Sequence, residues 1–152
     1  MTDRAALAII EDAEASGALS PGGTIVEGTG GNTGIALAQL GIARGYKVVL
    51  CMPASIASEK IDYMRQLGAE VHLQPGVPFS DPRHYAKLAE SIASQTASAL
   101  HTNQFENLAN FRAHVAGTGP EIWTQTRHKV DIFVAAAGTG TGIEGDGRCL
   151  LF

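Results

Sequence analysis

The residues of this chain that are best suited to chemistry lie in two glycine-rich turns. The first reads Gly28-Thr29-Gly30-Gly31-Asn32-Thr33-Gly34, and the second reads Gly138-Thr139-Gly140-Thr141-Gly142. A turn without side-chain bulk lets backbone N–H groups close on an oxyanion, and the positive end of a following helix strengthens the attraction. Thr29, Asn32 and Thr33 add neutral hydrogen-bonding groups. The first turn therefore predicts a site for a carboxylate or a phosphate.

A purely structural role is the alternative, because a strand-to-helix turn can need glycine only for a positive φ angle. The presence of a second such turn after a separate strand favours binding. Ligands of parallel α/β sheets bind beyond the carboxyl ends of the strands, where both turns are expected to lie.

A nicotinamide site is a second alternative, since the first turn imitates that of short-chain dehydrogenases. The Rossmann spacing G-x-G-x-x-G would need glycine at Thr33, however. The Tyr-x-x-x-Lys pair of short-chain dehydrogenases is also missing, because Tyr46, Tyr63 and Tyr85 each lack a lysine four residues later. The sequence therefore offers little support for a dehydrogenase.

Alternating strand and helix patterns surround the two turns. Apolar runs predict strands over 24–27, 47–52, 70–73 and 131–137, the last of them buried. Helical spacing and Gly or Pro stops predict helices over 5–15, 33–44, 59–67, 84–98, 105–116 and 121–126. This alternation is typical of an α/β fold with a parallel sheet covered on both faces.

Composition excludes several other classes of protein. A net charge of −4 and a pI near 5.7, with no run of Lys or Arg, argue against nucleic-acid binding. Two cysteines, Cys51 and Cys149, cannot form a disulfide framework, and five dispersed histidines predict no metal site. No apolar stretch is long enough to span a membrane, and acidic residues near the start argue against a secretory signal, so a cytoplasmic location is expected.

Segments along nearly the whole chain resemble the pyridoxal-phosphate-dependent cysteine synthase/cystathionine β-synthase family. The stretch from Lys60 to Phe79 is most similar to a fungal branch of cysteine synthases. The segments that carry the resemblance are, in order, Asp3-Arg4-Ala5-Ala6, Thr29 to Gly34, Met52-Pro53, Leu67-Gly68-Ala69-Glu70, Gln104-Phe105-Glu106-Asn107 with Asn110, Thr118 to Trp123, and Gly138-Thr139-Gly140.

The resemblance implies a three-layer parallel-sheet lobe of the tryptophan synthase β-like fold, with a second lobe that is incomplete. Residues 1–103 would form the smaller lobe and residues 104–152 the start of the larger one. It also implies roles for residues of both turns. Thr29, Gly30, Thr33 and Gln104 would hold the carboxylate of a small amino-acid substrate, and the cofactor would be bound by Asn32, Gly138, Thr139, Gly140, Thr141 and Gly142.

Two departures from the family pattern bear on activity. The lysine that forms the Schiff base with pyridoxal phosphate directly precedes the Asp-Arg pair in the family, and here Thr2 stands at that position. The phosphate-binding turn of the family reads Gly-Thr-Gly-Gly-Thr, whereas this chain has Thr141 and Gly142 as its last two residues. We therefore expect a cysteine synthase relative with no catalytic lysine and little activity of its own.

Other expectations follow from the resemblance or stay open beside it. A non-catalytic remnant or a binding module is the alternative to part of a working enzyme. The family is typically dimeric, so a homodimer is expected, and the fungal branch also allows a mitochondrial association.

Overall fold

The structure is a computed structural model that describes residues 2–136 together with Gly140 and Gly142. Helices and strands alternate through the first hundred residues, and helices follow. In chain order the elements are α1 (Thr2–Ser16), β1 (Thr24–Gly28), α2 (Asn32–Ala43), β2 (Lys47–Pro53), α3 (Ser58–Gln66), β3 (Glu70–Gln74), α4 (Tyr85–Gln95), β4 (Ala99–His101), α5 (Leu108–Ala113), a π-helix (His114–Thr118) and α6 (Gly119–Gln125).

The four strands form one parallel sheet in the order β3-β2-β1-β4. In this register Ile25 of β1 lies between Val48 of β2 and Leu100 of β4. The chain moves from β1 through β2 to β3 in one direction, and α4 then carries it back past β1 to the opposite edge. Because such crossovers are right-handed, this reversal places α4 on the face opposite to α2 and α3.

Apolar side chains cover both faces of the sheet. On one face, Ile10 of α1 and Leu37 of α2 pack with Ile25 and Leu50 of the sheet. On the other face, Val26, Val49 and Cys51 pack against α4 through the buried Ala89. Helix, sheet and helix thus form three layers, and the predicted α/β fold with a parallel sheet is confirmed.

The predicted elements agree with the structure to within a few residues through β3, and differ from it afterwards. The helix predicted over 84–98 ends at Gln95, and the three-residue strand β4 follows it. The helix predicted over 105–116 divides into α5 and the π-helix. No periodicity can show in three residues, so sequence patterning cannot reveal β4.

The prediction of a buried strand over 131–137 is wrong for residues 131–136, and Ala137 lies outside the described residues. Residues 131–136 form no strand, and Ile132 and Val134 are 82% and 87% exposed. The apolar run satisfies the sequence rule for a strand, but a strand also needs a neighbour. Within the described part of the chain, this run pairs with no other strand.

Candidate functional site

The candidate site lies where β1 and β4 run side by side and connect to helices on opposite faces of the sheet. After β1 the chain enters α2 on one face, whereas β4 is reached through α4 on the other. Such a reversal opens a crevice at the carboxyl ends of the strands. Here the Thr33 hydroxyl donates a hydrogen bond of 2.7 Å to Oε1 of Gln104 across that crevice. Two of the residues predicted to bind a carboxylate are therefore in contact.

The first turn leaves the amino end of α2 without a side-chain cap. Gly31 occupies the capping position in an extended conformation (φ −168°) and offers no side chain to the N–H groups of the first helical turn. The first N–H groups of a helix have no carbonyl partner within the helix. Such N–H groups, with the helix dipole behind them, can attract an anion.

Thr29 is held beneath this amino end and is only 2% exposed. Its backbone N–H donates to the carbonyl of Cys51 (2.9 Å), and its hydroxyl oxygen accepts from the N–H of Gly31 (3.2 Å). The hydroxyl proton of Thr29 has no acceptor among the residues that the structure describes. A buried donor without an acceptor is costly, so this proton is available to a ligand at the turn.

The glycines of the turn serve two different purposes. A β-carbon on Gly34 would lie 2.7 Å from the Thr29 methyl group and 3.2 Å from the Met64 sulfur, so Gly34 is required for packing. Gly31 would meet nothing within 4 Å, and Gly30 only the end of the Ile56 side chain at 3.9 Å. The space above Gly30 and Gly31 is open, and their backbone is accessible to a ligand.

Asn32 and Lys60 lie at the exposed side of the turn. The Lys60 ammonium group donates to Oδ1 of Asn32 at 3.4 Å, and both side chains are exposed. Lys60 thus brings a positive charge to the rim of a turn that otherwise has neutral groups, which favours an anionic ligand.

A buried acid lies under the crevice, and no local sequence pattern predicts its burial. Glu27, near the end of β1, is 1% exposed and accepts hydrogen bonds from the backbone N–H and the Nε2 of Gln104, each at 3.3 Å. Its Oε2 also makes a short contact with the Thr102 hydroxyl. Burial raises the pKa of Glu27, against the lowering effect of the hydrogen bonds from Thr102 and Gln104.

Two asparagines fix the loop that follows β4. The Asn107 amide donates to the carbonyl of Thr102, and the Asn110 amide donates to the carbonyl of Gln104, both at 3.0 Å. Asn110 is itself 3% exposed. Because both bonds hold backbone atoms, the positions of the Thr102 and Gln104 side chains are set before any ligand binds.

A second recess opens on the α4 side of the same edge, with a volume of about 530 Å³. Glu27 and Gly28 line this recess, and a β-carbon on Gly28 would lie 2.7 Å from Cα of Ala86. The two histidines on its wall lie seventeen positions apart in sequence, so their spacing predicts no shared site. The main side chains around it are Phe79, His84, Tyr85, His101, Phe105 and Glu106.

Comparison with known proteins identifies the family. The family model described as pyridoxal-phosphate dependent enzyme matches residues 1–150. The chain belongs to this pyridoxal-phosphate dependent family. It is 52% identical to cysteine synthase 1 of Neurospora crassa over 97% of this chain and 39% of that protein. It is 51% identical to cysteine synthase 1 of Emericella nidulans over 94% of this chain and 39% of that protein.

A cystathionine beta-synthase of Rattus norvegicus is also similar, at 41% identity over 97% of this chain and 27% of that protein. The chain thus spans well under half the length of the relatives it matches. The resemblance to the family, including its fungal cysteine synthases, is confirmed, and pyridoxal phosphate is the cofactor of this family. The roles of individual residues stay predictions.

The family's cofactor fits the residues of this chain only in part. Asn32 and the open backbone of Gly30 and Gly31 leave room for a ligand at the first turn. Thr2, the first residue of α1, is the residue that the resemblance predicts at the place of the family's Schiff-base lysine, and a hydroxyl group cannot form an imine. No covalent step through the cofactor can therefore be assigned to the residues described.

The four lysines lie outside α1. Lys60 is on α3 beside the first turn. Lys47 is at the amino end of β2, whereas the turn lies beyond the carboxyl ends of the strands. The Lys87 ammonium group lies 4.8 Å from the centre of the Phe79 ring on α4's side, and Lys129 follows α6.

The second turn lies largely outside the described residues. Gly138, Thr139 and Thr141 fall among those not described, and so does Cys149. Gly140 has φ +84°, a left-handed conformation that suits glycine, and a β-carbon there would meet nothing within 4 Å. The predicted role of Gly140 and Gly142 in binding phosphate stays a prediction.

The described residues contain no group of three or more His, Cys, Asp and Glu side chains that could hold a metal ion. Within the same residues, no helix combines the length and the apolar character needed to cross a membrane. Cys51 is fully buried, and burial together with the charges of Glu27 and Glu70 raises the pKa of its thiol to about 12. Such a thiol stays protonated and is a poor nucleophile.

Proposed function

We propose that the chain is part of a cysteine synthase-type enzyme, in which the turn after β1 binds the carboxylate of a small amino acid. Three groups support this assignment. The amino end of α2 is uncapped, the buried Thr29 hydroxyl has a proton to donate, and the Gln104 amide has one N–H beyond the bond that it gives to Glu27. All of these are donors, and none is an acidic group exposed at the turn, so the site suits a carboxylate.

The contact between Thr33 and Gln104 is the observation that carries the proposal. It joins the turn after β1 to the loop after β4, at the crevice where parallel α/β sheets bind ligands. A bound carboxylate would accept from Thr29, from the Nε2 of Gln104 and from the backbone at Gly30, and the Thr33 hydroxyl would hold the Gln104 amide in place for it. Asn32, at the exposed side of the turn, would face the pyridoxal phosphate ring.

The reaction we assign to the whole protein is replacement of the β-substituent of O-acetylserine or serine by sulfide, which produces cysteine. Relatives that carry the name cysteine synthase, at about half identity, support this choice over a dehydrogenase. When bound, pyridoxal phosphate withdraws electrons from the α-carbon of the amino acid. The residues described here bind the carboxylate and orient the amino acid for that chemistry.

We further propose that this chain alone has little or no β-replacement activity. Thr2 is the reason, because a threonine and not a lysine directly precedes Asp3. In this proposal, residues 1–103 form the smaller lobe with the carboxylate loop, and residues 104–152 begin the larger lobe. The exposed side chains of Ile132 and Val134 suit such a division, since a following lobe would cover them.

Calorimetry of the full chain tests the carboxylate site. Serine and O-acetylserine are expected to bind, and serinamide, which lacks the carboxylate, is expected to bind much more weakly. Thr33→Val should weaken serine binding about fivefold to tenfold, the usual effect of losing one hydrogen bond. Thr124→Val, on the exposed side of α6, is the matched control and should bind as the unchanged chain does. Equal affinity for serine and serinamide would contradict a carboxylate site.

A cofactor experiment tests the proposed inactivity. The chain is mixed with pyridoxal phosphate, reduced with borohydride and mapped for modified lysines, and cysteine formation from O-acetylserine and sulfide is measured in parallel. No specific adduct and no cysteine are expected. One uniquely modified lysine together with cysteine formation would overturn the proposal.

A non-catalytic binding module is the second candidate, and the replacement of the lysine by Thr2 favours it. It predicts that the chain binds serine or O-acetylserine although it forms no cysteine. If calorimetry detects binding of neither, an inactive remnant is left. Sedimentation of the chain tests the expected homodimer, and its cytoplasmic location stays a prediction.

A further inference from the structure

Glu27 is a buried acid that forms no ion pair with any residue that the structure describes. Its side chain is 1% exposed. Its neighbours Thr102 and Gln104 are neutral, and they are 0% and 6% exposed. An unpaired carboxylate in such surroundings loses its hydration without a compensating charge, and this favours the protonated form over the opposite effect of the hydrogen bonds that the carboxyl group accepts.

The hydrogen bonds around Thr102 support the same assignment. Its single hydroxyl proton faces two oxygen atoms, the Val26 carbonyl at 3.2 Å and Oε2 of Glu27. A hydroxyl group can donate to only one of them at full strength. Both contacts are satisfied if Thr102 donates to Val26 and the Oε2 of Glu27 carries a proton that it donates to Thr102.

The other oxygen of Glu27 decides how the Gln104 amide is oriented. Oε1 of Glu27 carries no proton in this arrangement and can only accept, so it must face the Nε2 of Gln104, as it does at 3.3 Å. The Thr33 hydroxyl at the other end can donate or accept and would suit either orientation. Glu27 therefore fixes the direction of the amide, and Thr33 adapts to it.

We propose that Glu27 is a positioning residue that carries a proton at neutral pH and fixes the Gln104 amide, so that Oε1 of Gln104 meets Thr33 and one N–H of its Nε2 stays available for the substrate carboxylate. The inference about the substrate rests on the proposed function, whereas the protonation and the orientation do not. A neutral Glu27 also matters for binding, because a negative charge beneath the site would repel a carboxylate.

Other titratable groups surround Glu27 and have to be separated from it. β2 contributes the Cys51 thiol, β4 contributes His101, and the walls of the neighbouring recess add groups from α4 and from the loop after β4. Burial lowers the pKa of His101, so that histidine is neutral at neutral pH. The groups on those walls are His84, Tyr85, Lys87, Glu90 and Glu106.

Infrared spectroscopy of the ligand-free chain tests the protonation directly. At pH 7 the unchanged chain should show the carbonyl stretch of a protonated carboxylic acid, and Glu27→Gln should abolish it. Glu59→Gln removes an exposed acid of α3 and should leave the band in place. Absence of the band in the unchanged chain at pH 7 would overturn the proposal.

Two variants of Glu27 test the orientation. In Glu27→Gln the amide can donate to Thr102 and accept from the Nε2 of Gln104, and it loses only the acceptor at Oε2 for the Gln104 backbone N–H, so affinity for serine should fall no more than about threefold. Glu27→Leu removes both bonds and should weaken serine binding about tenfold, the effect of losing one to two hydrogen bonds. In NMR spectra, the side-chain N–H signals of Gln104 should keep their positions in Glu27→Gln and move in Glu27→Leu.

The outcomes separate this inference from the proposed function. If the unchanged chain binds no serine, the proposed function fails, and the infrared band and the Gln104 signals still decide the inference. If Glu27→Leu does not fold, the infrared band and the Gln104 side-chain signals of Glu27→Gln decide the inference. A loss of the Gln104 signals in Glu27→Gln would mean that the negative charge is needed, which contradicts the inference.

Discussion

Two apolar runs, each followed by a glycine-rich turn, have different environments in this molecule. The run that forms β1 has a strand on each side, and all five of its residues are buried. The run over 131–136 has the same kind of sequence, yet it forms no strand, and Ile132 and Val134 are exposed. Sequence pattern alone therefore does not distinguish a buried strand from an exposed extended segment.

The difference shows what holds the first turn in a fixed position. Strands β2 and β4 hold β1 from both sides, so the turn after it has a fixed position relative to the loop after β4. The loop after β4 supplies Gln104 and Thr102, which contact residues of the first turn and of β1. The second turn follows a run with no described neighbour. Its sequence resembles a phosphate-binding turn, and most of that turn lies outside the described residues.

The largest expected effect contrasts one isoleucine from each run. Ile25→Ala in β1 should lower the free energy of unfolding by about 2–5 kcal/mol, because Ile25 is fully buried and its removal leaves a cavity. Ile132→Ala should change it by less than about 0.5 kcal/mol, because that side chain is 82% exposed. Urea denaturation of both variants measures the contrast. A similar loss for both would show that the second run is buried in solution.

A smaller effect is expected within the first turn itself. Gly34→Ala should cost about 1–2 kcal/mol of unfolding free energy, since its β-carbon would lie 2.7 Å from the Thr29 methyl group, and the better helix propensity of alanine offsets only part of that strain. Gly31→Ala is the matched control, because a β-carbon there meets nothing within 4 Å. Thermal denaturation checks both, and equal losses would mean that the turn is not packed as described.

Much of the fold follows from local sequence. Local patterns predict the strands β1, β2 and β3 and the helices between them to within a few residues, because each has a clear apolar pattern and a glycine or proline at its ends. The two parts that local patterns do not predict depend on distant neighbours. The strand β4 is too short for a pattern, and the run over 131–136 has a pattern without a partner strand.

The residues of the candidate site also divide into those that local sequence predicts and those that it does not. Thr29, Gly30, Asn32 and Thr33 are contiguous, and their residue types and spacing are enough to indicate an anion-binding turn. For Glu27, the local pattern predicts only a charge that ends a strand. Its burial results from contacts with residues 75 and 77 positions later in the chain, which no local pattern reports.

The dependence of stability on pH sharpens the comparison at Glu27. Burial raises the pKa of Glu27 from the value of 4.5 in an unfolded chain, so the folded state binds the proton more tightly. The resulting stabilisation is fully present below pH 4.5 and is lost as the pH rises through the folded pKa. The unfolding free energies of the unchanged chain and of Glu27→Gln are to be measured from pH 4 to pH 9. As the pH rises, the unchanged chain should lose stability relative to Glu27→Gln. A constant difference would contradict a raised pKa.

The smallest expected effect lies at the exposed rim of the first turn. Lys60 contacts Asn32 through a bond of 3.4 Å, and both side chains face water. Exposed charges contribute little, so Lys60→Gln should weaken serine binding by less than about fivefold. The loss should also shrink as salt is added, because salt screens an exposed charge but not the buried donors Thr29 and Gln104. Calorimetry at low and high salt measures both. A large loss that salt does not change would place Lys60 among the groups that directly bind the ligand, which would move the site outward from the buried donors.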